Sequence, residues 1–158
     1  RARGLDSAPF GGLPGLAWAV LAARTVREAD DLPPEALLRE FFGTWAAWDW
    51  RDPIALHGPS PHTPASASPG PDDPVTVLTP SEPVRSCTPQ VGPALRDLLG
   101  RELYEAWEGP QAGPPPLHRR HAAWAVVTVR GAVPPEFEES LGRMRGRMRA
   151  LLGALEAG

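Results

Sequence analysis

The chain has 158 residues, a formal net charge of −3 and one cysteine. That length can bury one real core, or two small units sharing an interface, and the slight acidity excludes a surface that seeks nucleic acid everywhere. The lone Cys87 excludes an intrachain disulfide framework, and no apolar run reaches the roughly 20 residues of a membrane span. Residues 1–14 are rich in Gly and Pro and predict no regular element. From Gly15, the run Leu16 to Ala23 is apolar nearly all round, which predicts a helix buried on most sides, with Arg24, Arg27 and Glu28 at its wetter end. A second helix has Asp31 as candidate N-cap and Pro33-Pro34 in its first turn. Along it Leu37, Leu38, Phe41, Phe42, Trp45 and Trp48 recur at the spacing of one face. The short connection predicts an antiparallel helical hairpin. Trp48-Asp49-Trp50 ends the periodicity, and Pro53 disfavours helix at Asp52, so the helix is expected to stop near Asp49 to Arg51. Three tryptophans within six residues read first as a hinge of hydrophobic core.

Residues 57–74 are rich in Pro, Ser and Gly, cannot bury enough surface to offset their ordering entropy, and are expected to be mobile or extended. His57 and His62 lie there without a Cys or carboxylate at ligand spacing, so they read as solvated loop and not as a metal site. Val75 to Thr79 is a β-branched run that predicts a strand. A helix follows from about Pro93 to Trp107, with Leu95, Leu98, Leu99 and Leu103 on one face. Nothing near Cys87 would activate it, so it reads as an inert thiol. After a Pro/Gly loop over 108–116, His118-Arg119-Arg120-His121 leads into the apolar run Ala122 to Val129, the pattern of a central strand covered on both faces. The last helix carries Phe137, Leu141, Met144, Met148, Leu151, Leu152 and Leu155 at spacings of three and four, with Arg143, Arg145, Arg147 and Arg149 on its other side. Between 117 and 150 seven arginines face three glutamates, a local charge of +4 in a chain that is negative overall. Arginine forks fit phosphate bidentately, and single-stranded RNA is held by basic grooves with aromatic stacking. Alternate arginines spread over more than one side of a helix, so a solvated face and an RNA contact both stay open.

Five blocks in this order resemble the eukaryotic-type poly(A) polymerases. Pro14-Gly15-Leu16-Ala17-Trp18-Ala19 through Arg24-Thr25 is similar to that family's Gly-Gly-Val-Ser-Trp-Ala helix, with Pro14 in place of the first glycine. Phe41-Phe42 running into Trp48-Asp49-Trp50 and Pro53-Ile54-Ala55-Leu56 resembles its Trp-acid-Trp-Pro turn, with Arg51 in place of a proline. Val77-Leu78-Thr79-Pro80 and Pro83 resemble its Ile-Thr-Pro-x-x-Pro block. The basic-His-aromatic run at 118–129 and Met144-Arg145 through Gly153-Ala154-Leu155-Glu156 resemble the strand and closing helix of its RNA-binding domain.

The resemblance implies an α+β chain: C-terminal helices of the central domain over 1–56, a flexible loop over 57–74, and over 75–158 a ferredoxin-like, RRM-like RNA-binding domain incomplete at its C-terminus. It implies nucleotide contacts at Gly15 and Leu16, RNA contacts at Arg119, Arg120, Arg143, Arg145, Arg147 and Arg149, and a single-stranded RNA 3′ end as partner. ATP and Mg²⁺ are implied for the full enzyme and none for these residues, because no Gly-Ser loop followed by an Asp-x-Asp pair occurs. Asp72-Asp73, between Pro71 and Pro74, makes a poor metal cradle. No catalytic or metal residue is therefore assigned, and a nucleotidyltransferase domain is expected upstream of Arg1. Two other readings stand beside this one: a non-catalytic RNA-binding module of a bacterial processing or repair protein, and a structural interaction domain. All 16 basic residues are arginine, with no lysine or asparagine, which suits a GC-rich bacterial coding sequence. A cytoplasmic location is expected, or a nuclear one if the source is eukaryotic.

Overall fold

The computed structural model describes residues 5–57, 70, 73–109, 123 and 126–156, with only the backbone of Arg149, Leu152 and Glu156. A 3₁₀ turn at Ala8–Phe10 precedes α1 (Gly15–Glu28) and α2 (Pro34–Ala47); α3 (Pro93–Glu108) and α4 (Pro134–Glu156) follow. His62, Asp72, most of the two predicted Pro-rich loops, and Ala122, Trp124 and Ala125 of the second predicted strand lie outside the described residues.

The expected ferredoxin-like sheet is not formed: among the described residues there is no β-strand. A strand needs a neighbour of matching length, and among the described residues neither β-branched run has one. Val75 to Thr79 makes only isolated bridges, Ile54 with Val77 and Leu78 with Ser86. Its backbone groups are used by two irregular segments instead: Ile54 N donates to Thr76 O (2.8 Å), Leu78 N to Ile54 O (2.8 Å) and Cys87 N to Val77 O (2.8 Å). Pro80 and Pro83 lack the donors that would extend this ladder. In the second run, expected to be covered on both faces, the described residues 126–129 form no strand, and Val126 is 84 % and Val127 54 % exposed.

What holds the molecule is a single cluster drawn from both sides of residues 57–74. Leu13, Ala17, Val20 and Leu21 from α1 and its approach meet Trp45, Trp50 and Ile54, then Val75, Val77 and Val91, then Leu99 and Leu103 of α3. Each large apolar side chain buried this way contributes about 1.5–3 kcal/mol. α2 packs on α1 and more extensively on α3, and Gly43 makes room for the Trp107 indole, which a Cβ there would meet at 2.9 Å. Asp31 does not cap α2; Pro33 occupies that position, and with Pro34 opening the helix the chain is already set at a helical φ. The helix ends at Ala47, slightly before the expected stop, because Trp48 turns extended (ψ 134°).

Trp45 is the pivot. Fully buried, its indole N–H donates to Thr25 Oγ1 (2.9 Å), which in turn donates to Leu21 O (3.0 Å). This ties the last turn of α1 to the end of α2. Arg24 lies over the Trp48 ring at 4.7 Å, a cation–π contact that covers the partly exposed indole. Arg27 reaches across to the carbonyl of Leu56. At the N-terminal side, Gly11 closes the 3₁₀ turn with φ +82°, and the Gln90 side chain donates to Gly12 O (3.1 Å). None of the described α4 side chains joins the core cluster, and the helix leans on the 3₁₀ turn.

Candidate nucleic-acid interface

The sequence of α4 sets its chemistry. From Ser140 to Leu155 it carries four arginines and no acidic residue. Its glutamates stand earlier, at 136, 138 and 139, or at the last position, 156. Arg143, Arg145 and Arg147 are exposed. Arg143 keeps a loose pair with Glu139 at 3.5 Å, and Arg145 and Arg147 have no ion pair among the described residues. At about 100° per residue, Arg143 and Arg147 lie about 40° apart on one side, while Arg145 points about 160–200° away from them. Phe137, Leu141, Met144 and Met148 fill the sector between and are half-buried. Two basic edges thus flank an apolar stripe, and one groove cannot collect all the arginines. Arg119 and Arg120 lie outside the described residues, as does the side chain of Arg149.

Gly15 and Leu16 open α1, whose N-cap is Pro14 with no side-chain hydrogen bond to the first turn. Nothing lies within 4 Å of a Cβ built on Gly15, and Leu16 is 43 % exposed. Both face open space and are not brought together with the α4 arginines in any cleft described below. The 3₁₀ turn just before α1 is the element on which α4 rests, so the two predicted contact regions are neighbours through it.

No group of three His, Cys, Asp or Glu among the described residues could hold an ion. The Asp73 carboxylate accepts from Gly70 N (2.9 Å), closing its own turn. The resemblance implies Mg²⁺ for the catalytic domain of the full enzyme and none for these residues. Cys87 is half-buried and burial pushes its thiol up, which disfavours the reactive thiolate.

Two clefts remain. One, of about 290 Å³, lies between α1 and α2 and is lined by apolar side chains such as Val26, Leu32, Leu38 and Phe41; its one hydroxyl, Thr25, is engaged by Trp45. The other, of about 200 Å³, is lined by Trp48, Asp49, Trp50, Arg51 and Arg96. Sequence reasoning missed it, although Arg51 in a position where a proline was expected was the available signal. Asp49 holds Arg51 by a fork, Nε to Oδ1 (3.0 Å) and Nη2 to Oδ2 (2.7 Å), and accepts from the Arg51 backbone N–H (3.1 Å). These bonds from Arg51 lower the Asp49 carboxyl to about 2. Arg96, in the first turn of α3, gives Nε and Nη2 to Asp97 Oδ1 (2.9 and 2.7 Å).

No helix among the described residues is long and apolar enough to cross a membrane. No protein-family model matches the chain.

Proposed function

We propose that this chain is the RNA-binding and substrate-positioning portion of a poly(A) polymerase-like nucleotidyltransferase that adds AMP to RNA 3′ ends. The observation that carries the reading is the acid-free stretch 140–155 of α4, where exposed arginines sit on a helix none of whose described side chains joins the core. Five co-linear sequence blocks support the same assignment. In this reading the α4 arginines hold the phosphates of a single strand, and Gly15 and Leu16 lie beside the incoming nucleotide. The carboxylates that carry the transfer belong to a nucleotidyltransferase domain, in the same polypeptide or a partner. Cytoplasmic action fits the lone, unactivated Cys87.

The test is fluorescence anisotropy of a short oligo(A) at two salt concentrations. Binding should weaken as salt rises, because each neutralised phosphate releases counterions. Arg143→Ala/Arg147→Ala should flatten the log–log salt slope by about 1.4, from about 0.7 per single-strand phosphate contact. Binding that ignores the pair would return these arginines to the role of a solvated face.

A further inference from the structure

The cleft between α1 and α2 stays open with the rest of the fold in place. Val26, Leu32 and Leu38 in its wall are 57 %, 38 % and 56 % exposed. Its volume of about 290 Å³ compares with about 150 Å³ for an apolar cavity that holds benzene. Its one hydroxyl, Thr25, is engaged by Trp45, so hydrogen bonding selects nothing here. Charge does the selecting. The turn that supplies Leu32 and Pro34 also carries Asp30, Asp31 and Glu35, all exposed and without an ion pair among the described residues. Glu35 stands three residues from Leu38, its neighbour on the surface of α2. The arginines of α1 and α2 are engaged elsewhere: Arg24 by Glu28 and Trp48, Arg27 by the Leu56 carbonyl, Arg39 by the Trp107 ring. An apolar groove with an acidic margin fits an apolar helix edged with cations.

This chain carries such a helix. The apolar stripe of α4 that is half-buried at Met144 and Met148 runs on to Leu151 and Leu155, which are 44 % and 66 % exposed. Arg145 and Arg147 flank that stripe, exposed and without an ion pair among the described residues. Within its own chain α4 leans on the 3₁₀ turn and leaves the cleft uncovered.

We propose that the α1–α2 cleft takes the C-terminal end of α4 from a second copy of this chain. Leu151 and Leu155 enter the cleft, and the arginines beside them meet the acids of residues 30–35. A two-fold arrangement makes the exchange reciprocal and closes it at a dimer with two identical contacts. The inference goes beyond the proposed activity and needs no RNA.

The experiment is sedimentation equilibrium of the full chain over a range of concentrations. The average mass should climb from 16.9 kDa toward twice that value. Val26→Ala/Leu38→Ala in the cleft and Leu151→Ala/Leu155→Ala on α4 should each raise the dimer Kd about tenfold or more. All four side chains are exposed within one copy, so the circular dichroism of both variants should stay native. Mixing the two variants should restore part of the lost association, because the mixed pair keeps one intact cleft and one intact helix end. Raising salt should weaken the wild-type dimer, and Asp31→Asn/Glu35→Gln should blunt that dependence. A chain that stays monomeric at every concentration overturns the proposal, and so does a dimer that survives both double alanine variants. Association lost in the cleft variant alone, or not recovered on mixing, would give the cleft to an occupant other than α4.

Discussion

Thr25 shows how much one hydroxyl can organise. It accepts the Trp45 indole N–H and donates to the Leu21 carbonyl, all out of reach of solvent. Thr25→Val keeps the shape and strands the indole donor, which costs about 1–3 kcal/mol. Thermal unfolding should fall by about 2–4 °C per kcal/mol for a domain of this size; an unchanged midpoint would mean that Trp45 finds another acceptor. Asp49 offers a second single-residue test. Its folded carboxyl lies near 2 against an ordinary 3.8, so the fork with Arg51 contributes fully above pH 3.8 and is lost as pH falls toward 2. Carboxyl ¹³C shifts should report that titration, and Arg51→Gln should move it back up toward 3.8. Asp49 is exposed, so the change should be visible as a titration and hardly as a loss of global stability.

Among elements, α4 is held differently from the others. None of its described side chains joins the core cluster, and its start is fixed by the tight approach of Gly131 to Phe137, where a Cβ would lie 2.7 Å from Phe137 Cα and N. Those are backbone atoms, which cannot swing away as a side chain can. Gly131→Ala should therefore disturb the entry to α4, at about 1–3 kcal/mol for an overpacked contact. Hydrogen exchange should accelerate over 134–140 while α1 to α3 stay protected. If α4 protection is unchanged, the loop at Gly131 can shift as a unit.

The whole molecule behaves as one packing problem through residues 13–103. Leu99 is fully buried at the meeting point of α3 with the Trp45 cluster. Leu99→Ala should cost about 2–5 kcal/mol and should loosen α1 and α2 together with α3, read as one urea transition by tryptophan emission and by exchange. Leu155→Ala, at a side chain 66 % exposed, should fall within about 0.5 kcal/mol of wild type. Separate transitions for α1–α2 and α3 would contradict a shared core.

The sequence by itself determined the helices. Their signals are local: apolar positions three and four apart, Pro33-Pro34 at a start, Pro53 beyond a stop. It also determined the arginine-only basic set and the acid-free stretch 140–155, since charge is written residue by residue. Tertiary structure alone decided the rest. β-branched runs at 75–79 and 126–129 state a preference for extension but cannot state a partner, and pairing is a property of two segments. One run found loops at Ile54 and Ser86, and the other found no strand among the described residues. The cleft at Trp50 was hidden for the same reason, because Arg51 and Arg96 stand 45 positions apart and only the packing of α3 against the tryptophan turn makes them neighbours.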